Sequence, residues 1–379
     1  MLIHSAVPTV IAAMDLIGNL LRINWNCLAF YITSFPYFIT VCSRMESSGF
    51  FVAVLLVVSS TAIQFGSADL EEAWEKYLVE FPLGIQTKAE YGKRKSNFAV
   101  TNAMIEEHNS NKDATYRMEH NKFSAMDDEE MIQFTGAILP SESSSRNGNL
   151  DLLFPITRQL PTSIDYRTHK CMQPVKSQGG CGSCWAFSAT SVVEFGKCIV
   201  NGTKVALSEQ QMVDCDKSNK GCGGGYMDNA WRYLAKAVGQ SASATYPYAG
   251  VKGTCRYKEA SMKKAIVSLT NPVMDVPRND TKTMMMLLAN NQLLSVGIAV
   301  VRSFKNYRSG VYVEPNCQSG IISYHAITVV GYGTLNGVDY WVIRNSWGTG
   351  WGARGYALFQ RGKNLCLIES YATTTNVVG

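Results

Sequence analysis

Nine of the eleven cysteines in this chain of 379 residues lie between Cys171 and Cys366, and residues 43–170 contain none. Cysteine packed into one block narrows that block to two classes: a disulfide-bearing domain from an oxidising compartment, or a metal site. The length leaves room for two or three compact units, and a hydrophobic content of 46% allows sizeable cores. A formal net charge of +5 is mild for such a chain and shows no basic stripe. That argues against nucleic acid as a partner.

The N-terminus reads as an address. Phe50 to Val58 (FFVAVLLVV) is a short apolar run after Met45, and it leads into the small residues Gly66-Ser67-Ala68. This is the pattern of a hydrophobic region with a small-residue cleavage site, so residues 45–68 are expected to be a signal peptide. A second apolar stretch, Leu28 to Val41, is interrupted by Pro36 and is a little short for a membrane span. Residues 1–44 are therefore expected to be an upstream extension to a protein starting at Met45. The alternative is an uncleaved anchor, which is the one route by which a membrane would enter. Either reading sends the chain into the secretory pathway, to the lysosome or the extracellular space.

From Asp69 to about Glu130 the sequence is charged, amphipathic and free of cysteine. Leu70, Trp74, Tyr77, Leu78 and Phe81 recur at three- and four-residue steps, which predicts a helix stopped by Pro82 and Gly84. A longer helical pattern runs from about Thr87 to His108, with Tyr91, Phe98 and Ile105 on one stripe. Glu90 and Arg94 stand four apart with the acid first, the favourable order for an exposed pair. Residues 141–150 (SESSSRNGNL) are small and polar and read as a linker, where processing concentrates. The second block, from about Leu160 to Gly379, has helical patterns near Cys184 to Val200, Ser208 to Cys215 and Met227 to Ala237. Strand patterns follow at Leu293 to Val300, Ala326 to Tyr332, Tyr340 to Ile343 and Tyr356 to Phe359. A helix-rich half followed by a strand-rich half predicts an α+β fold of two subdomains with a cleft between them.

The strongest chemical signal is Gln178-Gly-Gly-Cys181-Gly-Ser-Cys184-Trp185-Ala-Phe187. The glycines make a tight turn, and an apolar helical pattern resumes at Trp185, so Cys184 stands at a helix N-terminus. There the helix dipole and unpaired N–H groups favour the thiolate, the reactive form. Backbone N–H groups and the amide of Gln178 could hold a developing oxyanion. A thiolate nucleophile needs a proton partner. Of five histidines only His169 and His325 lie in the cysteine-rich block, and His325 opens an apolar strand 141 residues after Cys184. Asn345 follows 20 residues later, in Arg344-Asn-Ser-Trp347-Gly. Its amide can orient an imidazole, with Trp347 shielding the hydrogen bond. Alone, Cys181-Gly-Ser-Cys184 would also fit a thiol–disulfide oxidoreductase or half a zinc site. The lack of a second C-x-x-C, together with His325 and Asn345, turns the reading towards a protease.

With these motifs the chain resembles the papain-like cysteine proteases, the cathepsin L-like branch in particular; that family is itself the reference case for the Cys–His–Asn spacing. The resemblance implies a helical left domain and a β-barrel right domain with the active site in the cleft. It implies Cys184 as nucleophile, His325 as acid–base, Asn345 as orienting residue and Gln178 as oxyanion side chain. The reaction implied is peptide hydrolysis through a thioester acyl-enzyme, without a cofactor or metal. The first block resembles a cathepsin propeptide: Glu90, Arg94, Phe98, Ile105 and Asn109 match the E-x3-R-x3-F-x2-N-x3-I-x3-N helix, with Thr101 where the first Asn is expected. In the following G-x-N-x-F-x-D motif Asn121 and Phe123 match, while Glu119 and Ala125 replace the Gly and Asp. The expected division is residues 69–139 as inhibitory propeptide, 140–159 as linker and activation segment, and 160–379 as peptidase domain. The partners implied are protein and peptide substrates and the chain's own propeptide, on a monomer.

The same resemblance suggests disulfides Cys181–Cys222, Cys215–Cys255 and Cys317–Cys366. Cys171 and Cys198 are left over and are expected to pair, the alternative being two buried free thiols. Gly224 and Gly225 align with the glycines that pair with a substrate strand. Tyr226, Met227, Ala326 and Tyr371 fall at positions that line the main specificity pocket, and Trp347 completes the substrate-binding set. All are apolar or aromatic, so a bulky hydrophobic residue two positions before the scissile bond is expected. Tyr324 departs from the small or Asp/Asn residue more usual before the histidine. Between Cys222 and Cys255 there is no large insertion and no His pair, which favours an endopeptidase. A catalytically dead homologue acting as a binding protein is a different class of reading, and the intact Cys184, His325, Asn345 and Gln178 argue against it. Asn201 and Asn279 open N-glycosylation sequons. His169 is expected at the surface, and Met284, Met285 and Met286 as core filler.

Overall fold

The structure, a computed structural model, describes residues 26–32, 37–46, 49–55, 60–140, 159–267 and 272–378, with side chains from Asp69 onward. Most of the expected linker and activation segment (141–158) lies outside the described residues, as do residues 1–25 and 33–36 of the expected upstream extension and 47–48 and 56–59 of the expected signal peptide. The chain divides into two units, Met1–Lys76 and Tyr77–Gly379. In the first, β1 (Asn26–Ile32), β2 (Tyr37–Glu46) and β3 (Gly49–Leu55) form an antiparallel sheet in that order. The helix α1 (Ser60–Glu80) follows and passes into the second unit.

The second unit opens with a helical block whose local chemistry sets its bounds. Pro82 lies beyond the end of α1, as a residue without an N–H should. The helix α2 (Lys88–Ser110) starts where the Thr87 side chain accepts from the Glu90 N–H, and it buries Phe98, Thr101 and Ile105 on one stripe. At its end Asn109 bonds the Met118 backbone both ways, at 2.8 and 3.0 Å, and ties down the strand β4 (Tyr116–Met118). A short helix, α3 (Asp128–Ile132), is closed by a capping box between Asp127 and Glu130. Arg94 keeps the expected pair with Glu90, at 3.9 Å, and adds a closer one to Glu130, at 2.6 Å, because the chain folds back over α2 and offers a less exposed carboxylate.

The cysteine-rich block has the expected two halves. The helical half contains α4 (Cys184–Asn201), α5 (Glu209–Cys215) and α6 (Met227–Lys236). Thirteen of the 18 residues of α4 are buried, so this helix is the internal pillar of the fold, covered on every side. The strand half is built from β5 (Ile164–Asp165), β6 (Met274–Asp275), β7 (Leu294–Val300), β8 (Tyr307–Tyr312), β9 (Ser323–Leu335), β10 (Val338–Arg344), β11 (Tyr356–Gln360) and β12 (Ala372–Thr374). With β4 these make one sheet, ordered β4-β8-β11-β10-β9-β7-β12-β6, while β5 pairs with β9. A strand of the first block thus extends the sheet of the second. Gly310, at φ +86°, is needed there, since a Cβ would strike the Thr115 carbonyl.

Polar contacts join the halves. The buried Arg344 guanidinium donates to Ser191 Oγ at 2.7 Å and to the carbonyls of Gln173 and Pro174. Ser188 on α4 bonds Ser295 Oγ and the Ile327 carbonyl. Within the helical half, Lys176 Nζ lies 2.5 Å from Glu194 and 2.6 Å from Glu209, both buried. Burial pushes the Glu209 carboxyl up against the pull of Lys176, while the two carboxylates outweigh burial and raise the lysine. Four disulfides form as expected: Cys171–Cys198, Cys181–Cys222, Cys215–Cys255 and Cys317–Cys366. His169 stays partly exposed, and its ring packs at 5.6 Å from Tyr166 and 5.3 Å from Phe195 of α4. Met284 and Met286 are buried, as core filler should be, and Asn201 and Asn279 are exposed.

Candidate active site

Cys184 is the first residue of α4, and among the described residues it is the free cysteine. The turn before it is held by the Gly182 N–H on the Cys222 carbonyl (3.0 Å) beside the Cys181–Cys222 bond. The N-cap, Ser183, does not cap the helix with its side chain. Its hydroxyl bonds Tyr248 Oη at 2.7 Å, leaving the first helical N–H groups for the sulfur. Burial pushes the Cys184 thiol up to about 12, although N–H groups of Ala326 (3.4 Å), Trp185 and Ala137 pull the other way. The thiolate expected of a helix N-terminus is thus opposed here by complete burial.

His325 enters from β9, opposite Ile298 of β7. Its Nε2 is 2.7 Å from Asn345 Oδ1, which fixes Nε2 as the donor, and its Nδ1 is buried without a hydrogen-bond partner. The ring stacks on Trp347 at 4.7 Å. Burial lowers its pKa to about 4, with Asn345 acting in the opposite sense. Gln178 is fully buried, its Oε1 accepting from Ser346 Oγ at 2.7 Å, and its Nε2 faces the carbonyls of Cys181 (2.9 Å) and Thr135 (3.4 Å).

Thr135 belongs to the chain's own first block, which crosses this site. The N–H groups of Gly136 and Ala137 donate to the Tyr324 carbonyl, both at 3.1 Å; Ile138 N–H donates to the Gly225 carbonyl, and Gly225 N–H to Gly136. Ala137 and Gly225 form a parallel bridge. Gly136, at φ +122°, lies so close that a Cβ would strike the Gly182 backbone. Beyond it Leu139 reaches Gly297 of β7, which pairs with Ala326 and lies beside the Tyr371 Cβ. Gly225, Ala326 and Tyr371 of the expected substrate set are thus brought together around this strand. Gly224 precedes them at φ +104°, Tyr226 and Met227 follow at the start of α6, and Trp347 covers His325.

Three participants were not singled out from sequence: Gly297, Tyr248 and the carbonyl of Tyr324. Gly297 had a readable signal, a glycine inside an otherwise apolar strand. Tyr248 had none, and a backbone carbonyl carries no residue identity at all.

Residues 160–376 match the family described as papain family cysteine protease, and residues 74–131 match the cathepsin propeptide inhibitor domain. Cathepsin L of Sarcophaga peregrina is 34% identical over 338 residues, covering 85% of this chain and 98% of that protein. Cathepsin K of Mus musculus is 39% identical over 264 residues, 68% of this chain and 78% of that protein. The solved structure of digestive procathepsin L2 proteinase from Tenebrio molitor larval midgut is similar at a TM-score of 0.74 and 32% identity, over 81% of this chain and 99% of that one.

Proposed function

The chain belongs to the papain family of cysteine proteases, as a zymogen with its own propeptide inhibitor domain, and from that premise we propose how its residues divide the work. Cys184 Sγ attacks the scissile carbonyl and forms a thioester, passing its proton to His325 Nδ1. The imidazolium returns that proton to the leaving amine, and water then hydrolyses the thioester with His325 as base. Asn345 accepts from Nε2–H and holds the ring, while Gln178 Nε2 and the N–H at the start of α4 take the oxyanion. The observation that carries this reading is the state of His325: one nitrogen held by Asn345, the other buried and unpartnered on the side left for a proton.

For specificity, the chain's own strand supports a bulky hydrophobic residue two positions before the scissile bond. Leu139 fills a recess whose wall is Gly297, beside Tyr371. The five residues Thr135–Leu139 then act as the plug, and the propeptide and peptidase domains divide within residues 140–159. Action in the secretory pathway, in the lysosome or outside the cell, accords with four disulfides.

The test is labelling and cleavage after acid activation. An epoxide thiol inhibitor should label the enzyme, and Cys184→Ala should abolish both label and activity. A peptide library should show Leu, Phe or Val favoured two residues before the cut. A preference for Arg at that position would overturn the specificity, and labelling that survives Cys184→Ala would overturn the mechanism.

A further inference from the structure

Outside the cleft, the first block and the peptidase half meet along a charged seam. Glu119 to Glu130 (EHNKFSAMDDEE) lies against residues 302–310, which contain Arg302, Lys305 and Arg308. The Arg302 guanidinium grips Asp128 with two nitrogens, at 2.7 and 3.0 Å. Arg308 Nε lies 2.6 Å from Glu119. Lys305 is buried, and its ammonium donates to the Met126 carbonyl at 3.0 Å. Backbone joins the same surfaces, with Glu119 N–H on the Asn306 carbonyl. Three cations of one short segment thus each bond the acidic stretch of the propeptide, Arg302 and Arg308 from the exposed edge of the seam and Lys305 from beneath it, and removing the propeptide takes these partners away.

The seam also has a definite place along the cleft. Leu139 sits in the pocket proposed for the residue two before the scissile bond, and Ala137 lies at Cys184. Whatever the direction of a bound chain, residues after the scissile bond leave on the far side of Cys184 from that pocket. That is the side from which the propeptide arrives. Between Asp128 and Thr135 the propeptide has one short helix, so the span is at most about 17 Å, the reach of roughly five extended residues.

We propose that in the mature enzyme Arg302, Lys305 and Arg308 form a docking site for an acidic segment of the protein substrate, beginning about five residues after the scissile bond. The proposal rests on the pocket assignment above. The propeptide is the template for the occupant, since it places carboxylates on Arg302 and Arg308 and a backbone carbonyl on Lys305. Burial lowers the Lys305 ammonium to about 8, so it is charged at neutral and acid pH and presents that charge to water once the propeptide leaves. Exposed cations of this kind steer and retain an acidic chain at low salt rather than binding it tightly.

The experiment compares two quenched fluorogenic peptides, both with Leu two residues before the cut. One carries Asp-Asp-Glu-Glu from the fifth residue after it, and the other Ser-Ser-Gln-Gln. With mature enzyme at low salt the acidic peptide should show a KM about three- to tenfold lower at unchanged kcat, and the advantage should vanish in high salt. The variant Arg302→Ser/Arg308→Ser should lose the advantage while cleaving the neutral peptide as before. Equal KM values in the unmodified enzyme, or an advantage that survives the double variant, would overturn the proposal. Fluorescence anisotropy of a labelled peptide of residues 119–132, which lacks the plug, reads the same site without cleavage. Salt-sensitive binding lost in the double variant supports it, and no binding refutes it. If neither substrate is cleaved yet the labelled peptide binds, the pocket assignment fails and the docking site stands.

Discussion

His120→Phe should make the propeptide less sensitive to acid. The His120 ring stacks on Phe98 at 4.5 Å and meets Tyr77 edge-on at 5.8 Å. Its Nε2 bonds Asn102 Oδ1 at 3.0 Å, while Nδ1 is buried without a partner. A second proton would have nothing to bond, and burial lowers the pKa from 6.5 to about 4. Between those values the unfolded propeptide binds more protons than the folded one, so stability is lost as pH falls through 6.5 towards 4. At about pH 4.5 the ceiling on this loss is about 2.6 kcal/mol. The residue is half-buried, and solvent screening cuts the figure to about 1.3 kcal/mol, close to a factor of ten. Phenylalanine keeps the stack and cannot titrate. In a Cys184→Ala background, which prevents self-cleavage, guanidinium unfolding of the propeptide followed by fluorescence at about pH 7 and about pH 4.5 gives the two stabilities. The parent should lose about 1.3 kcal/mol more than His120→Phe on acidification. With Cys184 intact, His120→Phe should self-process about tenfold more slowly at about pH 4.5. The same acid sensitivity in both proteins would refute the argument.

Three further substitutions test separate parts of the structure. Gly297→Val puts a branched side chain where Leu139 lies; kcat/KM for substrates with Leu two before the cut should fall by about 10–100-fold, while Ala there suffers less. Gln178→Ala removes one oxyanion donor, and kcat should fall by about 10²–10³ with little change in KM, measured by steady-state hydrolysis. Glu194→Ala leaves Lys176 with Glu209 and the Leu207 carbonyl but orphans the buried Leu207 N–H, and should cost about 1–3 kcal/mol, read from the denaturation midpoint.

The sequence carried most of the architecture because its local signals agree with one another. Cys184 to Val200 carries an apolar helical pattern, and the structure makes it the buried pillar α4. The strand patterns near Leu293, Ala326, Tyr340 and Tyr356 became β7, β9, β10 and β11 within a few residues. What periodicity could not reach was long-range and backbone-mediated. The closer pair that Arg94 makes with Glu130, beside the one with Glu90, depends on a fold-back that no helical spacing encodes. The ring contact of His169 with Phe195, 26 residues away, is likewise beyond the reach of local spacing. The plug Thr135–Leu139 held no motif, since four of its contacts run through backbone N–H and C=O groups that every residue shares.

The plug ties latency to the electronics of the site as well as to access. With Ala137 over Cys184, burial holds the thiol near 12 and the imidazole near 4. Both groups are therefore neutral across the whole range between those values. The proposed mechanism needs the opposite arrangement, a thiolate beside an imidazolium. The N–H groups at the start of α4 already favour the thiolate, and Asn345 already favours the imidazolium; in the closed form each is outweighed by desolvation. Withdrawing Thr135–Leu139 admits water to the sulfur and Nδ1, so both shifts relax together and charge separation becomes accessible. The same withdrawal frees Gln178 Nε2 from the Thr135 carbonyl and empties the recess at Gly297. Opening the cleft and charging the nucleophile are thus one event. A propeptide that loosened at its helices but kept these five residues in place would leave the enzyme silent.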